Sequence, residues 1–355
     1  MQNEIQHLRQ QLAQLKETEP RLRTRQQAEK LGISELELLC LRAGEDVIRL
    51  AGDWKKLLLE LHRMGYVMAL SRNANCVHER KGIYENIEFY EGGHNMGVAV
   101  NPDIDLRFFM NEWVYALGVV MHRPKGKTLY SFQFFNARGE AVHKVFSTPK
   151  SDITAYQEIL ASFRAASQEP LLLSDRSKPA AKVEKHDSEI DLAAFQQEWK
   201  DLKDTHHFFG MLRKYELSRT QALRLAPEGM VDEVDRLAVV KMLESAAAAA
   251  TPIMCFVHSP GCVQIHTGPV KRLLWHGDWY NVMDPAFNLH LDTTAIDRCY
   301  IVRKPTEDGI VTSLELFDLQ GELIVYFFGA RKPGKPELEA WRTLLEPLRP
   351  SMSIA

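Results

Sequence analysis

The pattern of apolar and polar positions changes character several times along the chain. Two stretches, "KTLYSFQFFNARGEAVHKVF" from Lys127 and "GIVTSLELFDLQGELIVYFF" from Gly309, alternate on either side of a short polar turn and predict two β-hairpins. The N-terminal "IQHLRQQLAQLKE" instead has helical spacing, and its narrow apolar stripe is consistent with packing on its own domain. Helices and strands therefore form separate runs, which is typical of an α+β protein.

Three segments of the first half recur in the same order in the second, at an offset of about 184 residues. "NCVHERKGIYENIEFYEGGHNMG" from Asn75 resembles "GCVQIHTGPVKRLLWHGDWYNVM" from Gly261, "NPDIDLRF" resembles "DPAFNLHL", and the two hairpins resemble each other. These matches predict a tandem duplication, with one half at about 21–170 and the other at 191–350. The joining stretch "EPLLLSDRSKPAAKVEKHDSEID" is largely polar with two prolines, and residues 171–190 within it are predicted to be a linker.

Both halves carry the same signals for helix ends. Ser34 with Glu37, and Ser218 with Gln221, match the S-x-x-E/Q capping box, in which both side chains satisfy free backbone N–H groups. Each half closes with a further predicted helix, "SDITAYQEILASFRA" and "KPELEAWRTLLEPL". We therefore predict two copies of one α+β half, each combining helices with a large antiparallel sheet.

Composition limits the functional classes. With 45% hydrophobic and 26% charged residues the chain is globular, and a formal net charge of -3 gives no strong nucleic-acid signal. There is no basic-then-apolar leader and no run of about 18 apolar residues, so we expect a cytoplasmic protein without membrane insertion. The five cysteines form neither a CxxC nor a dense framework, and we expect reduced structural thiols.

The adjacent histidines of "DTHHFFGML" are the most distinctive chemical feature. If the helix that begins in "DLAAFQQEWK" continues through them, His206 falls on the apolar stripe that contains Trp199 and Phe209. His207 then points about 100° away, and such a pair is poor zinc geometry. A structural histidine on an apolar face is the plain alternative. A haem is the other, because its iron needs only one or two axial atoms from the protein.

A haem would also need apolar walls for its macrocycle and cations for its two propionates. The candidate walls are Phe208, Phe209, Met211, Phe256, Phe287 and Phe328, and the candidate cations are Arg107, Arg219, Lys304 and Arg331. Taken singly, residues of these types are more often ordinary core or surface residues than haem contacts.

Over nearly its whole length the chain resembles the HemS/ChuS/HmuS family of bacterial haem-utilisation proteins, also called haemin-degrading factors. The segments that carry the resemblance are "DTHHFFGMLRKY", "LSRTQALRLAP", "DLRFF", "RKP" and "FFGARKPGKPEL". It implies a cleft for haem b on the C-terminal half, with His206 as the axial ligand of the iron and the centre of any catalysis. The haem-contacting residues that it implies are Arg107, Phe109, Arg219, Phe256, Lys304, Tyr326, Phe328 and Arg331, with His207 beside the ligand.

The sequence departs from the family pattern at two of these positions. Tyr326 and Phe328 stand where some relatives carry Gln and Tyr, so a hydrogen bond to the haem is lost or moved. The resemblance also allows a second haem site at His78 of "CVHER". The two sites would not be symmetric, because the offset places Leu22 at the position equivalent to His206.

The function implied by the resemblance is haem uptake for iron acquisition. The protein would degrade haem, by attack of iron-bound oxygen species on a meso carbon with an external electron donor and O2, or would transport it. The alternative is a non-catalytic chaperone that delivers haem to a separate haem oxygenase, with ligand exchange to His207. An inner-membrane haem importer and a haem oxygenase are the expected partners. A further alternative is an interaction protein that docks a partner through its N-terminal helix.

Overall fold

In the computed structural model the described residues are 2–90, 92, 95–123, 126–177, 183–332 and 334–349. The α-helices among them are α1 (Gln2–Thr18), α2 (Thr24–Lys30), α3 (Glu35–Cys40), α4 (Trp54–Glu60), α5 (Ile153–Ser162), α6 (Leu192–Lys200), α7 (His207–Tyr215), α8 (Arg219–Arg224), α9 (Ala238–Ala248) and α10 (Glu339–Leu345). The strands before residue 152 are β1 (Val47–Arg49), β2 (Gly65–Arg72), β3 (Cys76–Gly82), β4 (Ile87–Phe89), β5 (Met96–Val100), β6 (Asp105–Phe109), β7 (Tyr115–Arg123), β8 (Lys127–Phe135) and β9 (Ala141–Ser151). The later strands are β10 (Val231–Val234), β11 (Ile253–Ser259), β12 (Cys262–Gly268), β13 (Leu273–His276), β14 (Trp279–Met283), β15 (Phe287–Asp292), β16 (Arg298–Thr306), β17 (Gly309–Phe317) and β18 (Leu323–Gly329).

The chain divides into two compact units. Unit 1 consists of Met1–Arg72, Glu79–Pro179 and His258–Gln264, and unit 2 of Asn73–His78, Ala180–Val257 and Ile265–Ala355. The described strands belong to two nine-stranded sheets. Unit 1 contains the runs β1-β7-β8-β9-β2 and β4-β5-β6, and unit 2 contains the runs β10-β16-β17-β18-β11 and β13-β14-β15. The division between the units falls within β3, at the end of β11 and within β12. The predicted mixture of helices and large antiparallel sheets is confirmed.

The predicted hairpins and closing helices are present in both units. Strands β8 and β9 pair antiparallel, as do β17 and β18, and each pairing has an irregularity next to the turn, at Phe134/Phe135 and Leu316/Phe317. Helices α5 and α10 follow these hairpins, as predicted. Helix α1 buries Ile5, Leu8 and Leu12 against α2 and α3 of its own unit, so its apolar stripe is occupied.

Each unit has its own hydrophobic core. In unit 1 the largest cluster includes Leu57, Phe108 and Phe132, and in unit 2 it includes Val257 and Leu314. A second cluster of unit 2 packs α6, α7 and α8 on strands β16 and β17. All five cysteines are buried free thiols. Among the described residues, no helix combines the length and apolar character needed to cross a membrane.

The two capping boxes differ. Ser34 and Glu37 form the complete box at the start of α3. At α8 the hydroxyl of Ser218 accepts from the backbone N–H of Gln221, as predicted, but the Gln221 side chain turns away and donates to the Lys185 carbonyl, 2.7 Å away. Glu37 of the first box accepts hydrogen bonds from residues 173 and 176. Glu37 and Gln221 therefore each hold a part of the predicted linker. Residues 178–182 of that linker lie outside the described residues.

One prediction about the helices is wrong. The segment before the histidines is not continuous with the one after them, because α6 ends at Lys200 and α7 begins at His207. The turn between them is held by the buried Leu202 and by a hydrogen bond of 3.0 Å from the Glu307 N–H to the Lys203 carbonyl. The helical phase used to place His206 on an apolar face is therefore interrupted.

Candidate functional site

His206 lies at the N-terminal boundary of α7 and is exposed. Its side chain is 89% accessible, so the predicted burial on an apolar stripe is wrong. Asp204 fixes its position, because one carboxylate oxygen accepts the His206 backbone N–H at 2.8 Å and lies 2.6 Å from the ring Nδ1. Burial raises the pKa of Asp204, but these hydrogen bonds outweigh it and the net direction is downward. The imidazole is thus accessible and held by a carboxylate.

The first turn of α7 carries three more residues of the predicted site. His207, the first residue of the helix, is exposed like His206. Phe208 is buried, with its ring 4.8 Å from that of Trp199 in an edge-on contact. Phe209 was predicted on the apolar stripe but is 48% exposed. An accessible imidazole and an accessible aromatic ring therefore lie within one helical turn.

Beneath this turn, unit 2 buries a cluster of three charged side chains. Glu315, on β17, accepts two hydrogen bonds of 2.8 Å from the guanidinium of Arg219 and one of 2.8 Å from the Lys304 ammonium. The hydroxyl of Ser313 donates to the same carboxylate at 2.7 Å. With two cations and one anion, the cluster carries one net positive charge.

Burial and the neighbouring charges shift the pKa values of Glu315 and Lys304. Burial would raise the pKa of Glu315, but Arg219 and Lys304 lower it well below its ordinary value. Burial, helped by the charge of Arg219, lowers the pKa of Lys304 to about 8, although Glu315 opposes this shift. The positive charge is consequently costly to keep buried, and an anion would stabilise it.

Aromatic rings surround the guanidinium of Arg219. Its central carbon lies 5.4 Å from the ring centres of both Phe208 and Phe209, and 5.5 Å from that of Tyr326. Tyr326 stacks on Phe256 with ring centres 5.0 Å apart, and Phe328 makes edge-on contacts with both. Strands β11 and β18 place these three rings together because Phe256 pairs directly with Tyr326.

One donor of this cluster is unsatisfied. The Nη1 of Arg219 is buried, yet it has no hydrogen-bond partner among the described residues. A buried guanidinium nitrogen without a partner loses its hydration without compensation. A carboxylate suits this donor, since arginine binds carboxylates through two parallel N–H groups. The aromatic surface, the unsatisfied guanidinium and the accessible imidazole together fit a flat, apolar, anionic molecule that contains a metal.

The other predicted contact residues have partners outside this cluster. Arg331 follows β18, and its guanidinium is 3.4 Å from the Asp308 carboxylate. Arg107 and Phe109 are on β6 in unit 1, where Arg107 pairs with Asp105 and Phe109 is partly exposed. The predicted wall residues Met211 and Phe287 are both buried in the cores of unit 2.

His78 lies on β3 and its side chain is completely buried. Its ring centre is 5.0 Å from that of Phe287, which stacks in turn on His266 at 3.7 Å. An iron atom would reach this imidazole only if the core around Phe287 opened. The environment is that of a structural histidine.

Two residues of the site were missed in the sequence. Glu315 lies in "TSLELFD", where strand alternation places it on the same face as Ser313, and the matching pair in the first half is Ser131 and Gln133. A charged residue at a repeated polar position within an apolar strand was the available signal. Asp204, two residues before His206, is a typical start of an Asx turn.

Comparison with known proteins places these residues in a family. Two parts of the chain, 32–163 and 216–348, match the family description "Haemin-degrading HemS.ChuX domain". The chain belongs to this family. The double match accords with the predicted duplication, and the second matched part contains Arg219, Lys304 and Glu315, while His206 precedes it.

Relatives of this HemS-family chain match over almost its full length. The hemin transport protein HmuS of Yersinia pestis is 39% identical over 336 residues, which cover 94% of this chain and 95% of the relative. Among solved structures, holo-PhuS, a haem-binding protein from Pseudomonas aeruginosa, is 46% identical with a TM-score of 0.92, covering 97% of this chain and 99% of that one. The haem-degrading enzyme ChuS of Escherichia coli O157:H7 is 34% identical with a TM-score of 0.89, covering 98% and 100%.

Proposed function

We propose that this protein binds haem through unit 2, as a protein of haem trafficking and iron acquisition. The observation that carries the proposal is the first turn of α7. His206, directly before this turn, is an accessible imidazole, and Phe208 and Phe209 within it lie beside the Arg219 guanidinium, whose buried Nη1 has no partner among the described residues. The names of the relatives, a hemin transport protein and a haem-binding protein, support the same ligand class.

In this proposal each group has a separate role. His206 is the axial ligand, and the rings of Phe209, Phe256 and Phe328 provide apolar surface for the macrocycle. Arg219 offers Nη1 to a propionate, and because this atom is buried, a neighbouring side chain must move for the contact to form. Lys304 lies 4.6 Å from the centre of the Phe208 ring and is almost fully buried, so it acts through its charge on Arg219. Arg107, Phe109 and Arg331 remain predictions from the family resemblance.

Two fates of the bound haem are compatible with this site. One is oxidative degradation, which needs an external electron donor and O2; the haem supplies the oxygen chemistry, and the protein orients it and limits its access to water. One relative, ChuS, is described as a haem oxygenase. The other is delivery to a separate haem oxygenase. The exposed His207 beside His206 favours this second candidate, because an adjacent imidazole could take over the iron during release.

The ligand assignment is tested by haem titration of three variants followed by absorption spectroscopy. We expect His206→Ala to change the Soret band and weaken binding, and His207→Ala to keep the wild-type spectrum. His276→Ala, an exposed histidine on β13, is the matched control for adventitious binding of haem. If only His207→Ala altered the spectrum, the axial ligand would be His207 and not His206. Three unchanged spectra would refute the site.

Degradation and delivery are separated by incubating the haem complex with reductant and O2 in the presence of catalase. Steady loss of the Soret band with release of iron and a tetrapyrrole product would support an enzyme. If catalase abolishes the loss, free peroxide causes it, and delivery is favoured. Transfer to a haem oxygenase, and loading by an inner-membrane importer, would then be tested by stopped-flow mixing with each purified partner.

A further inference from the structure

Asp204 makes two contacts through a single carboxylate oxygen. Its Oδ1 accepts the backbone N–H of His206 at 2.8 Å and lies 2.6 Å from Nδ1 of the same residue. The Asp204 carbonyl also accepts the backbone N–H of His207 at 3.1 Å. Asp204 therefore fixes both the start of α7 and the rotation of the imidazole ring.

The contact with Nδ1 also determines which ring nitrogen can bind a metal. A carboxylate is an acceptor only, so a hydrogen bond at this distance requires Nδ1 to carry the proton. In a neutral imidazole the other nitrogen, Nε2, then keeps its lone pair. Because the ring is 89% accessible, the position of the Nε2 lone pair depends on Asp204 and very little on neighbouring side chains.

Resting on the proposed haem-binding function, we propose that Asp204 is the positioning residue of the axial ligand. It holds His206 as the Nδ1–H tautomer, presents Nε2 to the iron and strengthens Nε2 as an electron donor by placing a negative charge on the far side of the ring. Partners of this kind orient metal-binding histidines and raise their basicity. None of the predicted site residues has this role, and it makes the ligand part of an Asp204–His206 pair.

A purely structural role is the competing explanation. Asp204 could serve only to cap α7, and its contact with the ring would then be incidental. Asparagine is an equally good acceptor for a backbone N–H at this position, but it carries no charge. Asp204→Asn therefore preserves the cap and removes the charge, whereas Asp204→Ala removes both. Asp191→Asn is the matched control, because Asp191 caps α6 through Ala194 N–H and contacts no described histidine.

The first measurement needs no haem. Ring ¹⁵N chemical shifts of the apo protein should report the Nδ1–H tautomer at His206 in the wild type and a shift towards the Nε2–H tautomer in Asp204→Ala. The exposed His276 provides the reference for an unrestrained ring. If His206 and His276 have the same tautomer populations in the wild type, Asp204 does not hold the ring and the proposal is wrong.

The second measurement uses the haem complex. We expect Asp204→Asn to lower the iron–histidine stretching frequency of the ferrous complex and to speed haem dissociation roughly tenfold, since loss of such a partner typically costs 10- to 100-fold in metal affinity. Asp191→Asn should change neither quantity. A wild-type frequency and dissociation rate in Asp204→Asn would overturn the proposal while leaving haem binding intact. If His206→Ala binds haem with the wild-type spectrum, the proposed function fails at its ligand instead.

Discussion

Units 1 and 2 each bury a three-residue ion cluster, but with the charges exchanged. In unit 2 the residue after the capping serine is Arg219, and the carboxylate, Glu315, comes from a strand. In unit 1 the residue after the capping serine is Glu35, which pairs with Lys144 on β9 at 2.5 Å and with Arg72 at the end of β2. The same backbone position thus carries opposite charges in the two halves.

The two clusters also differ in how completely their donors are paired. In unit 1 one Glu35 oxygen meets Lys144 and the other meets Arg72, and neither cation appears among the buried atoms that lack a partner. In unit 2 the guanidinium of Arg219 donates two hydrogen bonds to Glu315, and its Nη1 has no partner among the described residues. Among the described residues, the cluster of unit 2 therefore keeps an unpaired buried donor, and that of unit 1 does not.

The largest effect is expected from removing the shared carboxylate. Glu315→Gln should destabilise unit 2 by about 3–5 kcal/mol, because Arg219 and Lys304 stay buried without an anion. Glu35→Gln should cost somewhat less, about 2–3 kcal/mol, because the Lys144 side chain keeps 9% of its accessibility and that of Lys304 only 3%. Hydrogen exchange measured separately in α8 and α3 reports each unit. Equal losses in the two variants would show that the clusters are energetically alike.

Acid should weaken both clusters over different ranges. Burial raises the pKa of Glu35, but Lys144 and Arg72 outweigh it and lower the pKa from 4.5 to about 2. The folded state therefore takes up the Glu35 proton at a lower pH than the unfolded state does. The stabilisation that the ionised Glu35 gives is complete above pH 4.5 and is lost as the pH falls towards 2. It amounts to up to about 3 kcal/mol. The pKa of Glu315 is lowered further, so the loss in unit 2 extends to lower pH.

The measurement is the unfolding free energy between pH 5 and 2 in the wild type and in Glu35→Gln. The difference between the two proteins should shrink as the pH falls. A constant difference would mean that Glu35 keeps its ordinary pKa. Glu17→Gln, an exposed glutamate of α1, serves as a control and should leave the slope unchanged.

Much of this architecture could be predicted from sequence, because it depends on local patterns. Alternation defined the hairpins, and serine followed by Glu37 or Gln221 defined two helix starts. The interruption before His206 could not be predicted, since it depends on Leu202 and on a hydrogen bond from a distant turn, residue 307. The resemblance named the candidate ligand and the cations. It did not reveal the charge exchange, because pairing between Glu315 and Arg219 is a long-range contact.

Haem affinity should depend on pH through Lys304. Its pKa of about 8 means that the cluster of unit 2 has one net positive charge below this pH and none above it. The affinity for a dianionic haem should therefore fall as the pH rises through 8, by up to roughly tenfold. Titrations between pH 7 and 9 should show a weaker, flat affinity in Lys304→Met. Lys144→Met in unit 1 should keep the wild-type slope; if it also flattens the curve, the effect is not specific to unit 2.

The smallest effects concern the two capping serines and test how far the halves have diverged. Ser34→Ala should cost about 1–2 kcal/mol, because Ser34 caps α3 and also donates to Glu37, which holds Arg176. Ser218→Ala should cost only about 0.5–1 kcal/mol, since Ser218 caps α8 without a returning bond from Gln221, and its second partner, Glu184, is exposed. Hydrogen exchange in residues 171–177 should rise with Ser34→Ala, while residues 183–187 should respond more to Gln221→Ala than to Ser218→Ala. The opposite order in the second segment would mean that the hydrogen bond from Ser218 to Glu184 holds the linker more strongly than Gln221 does.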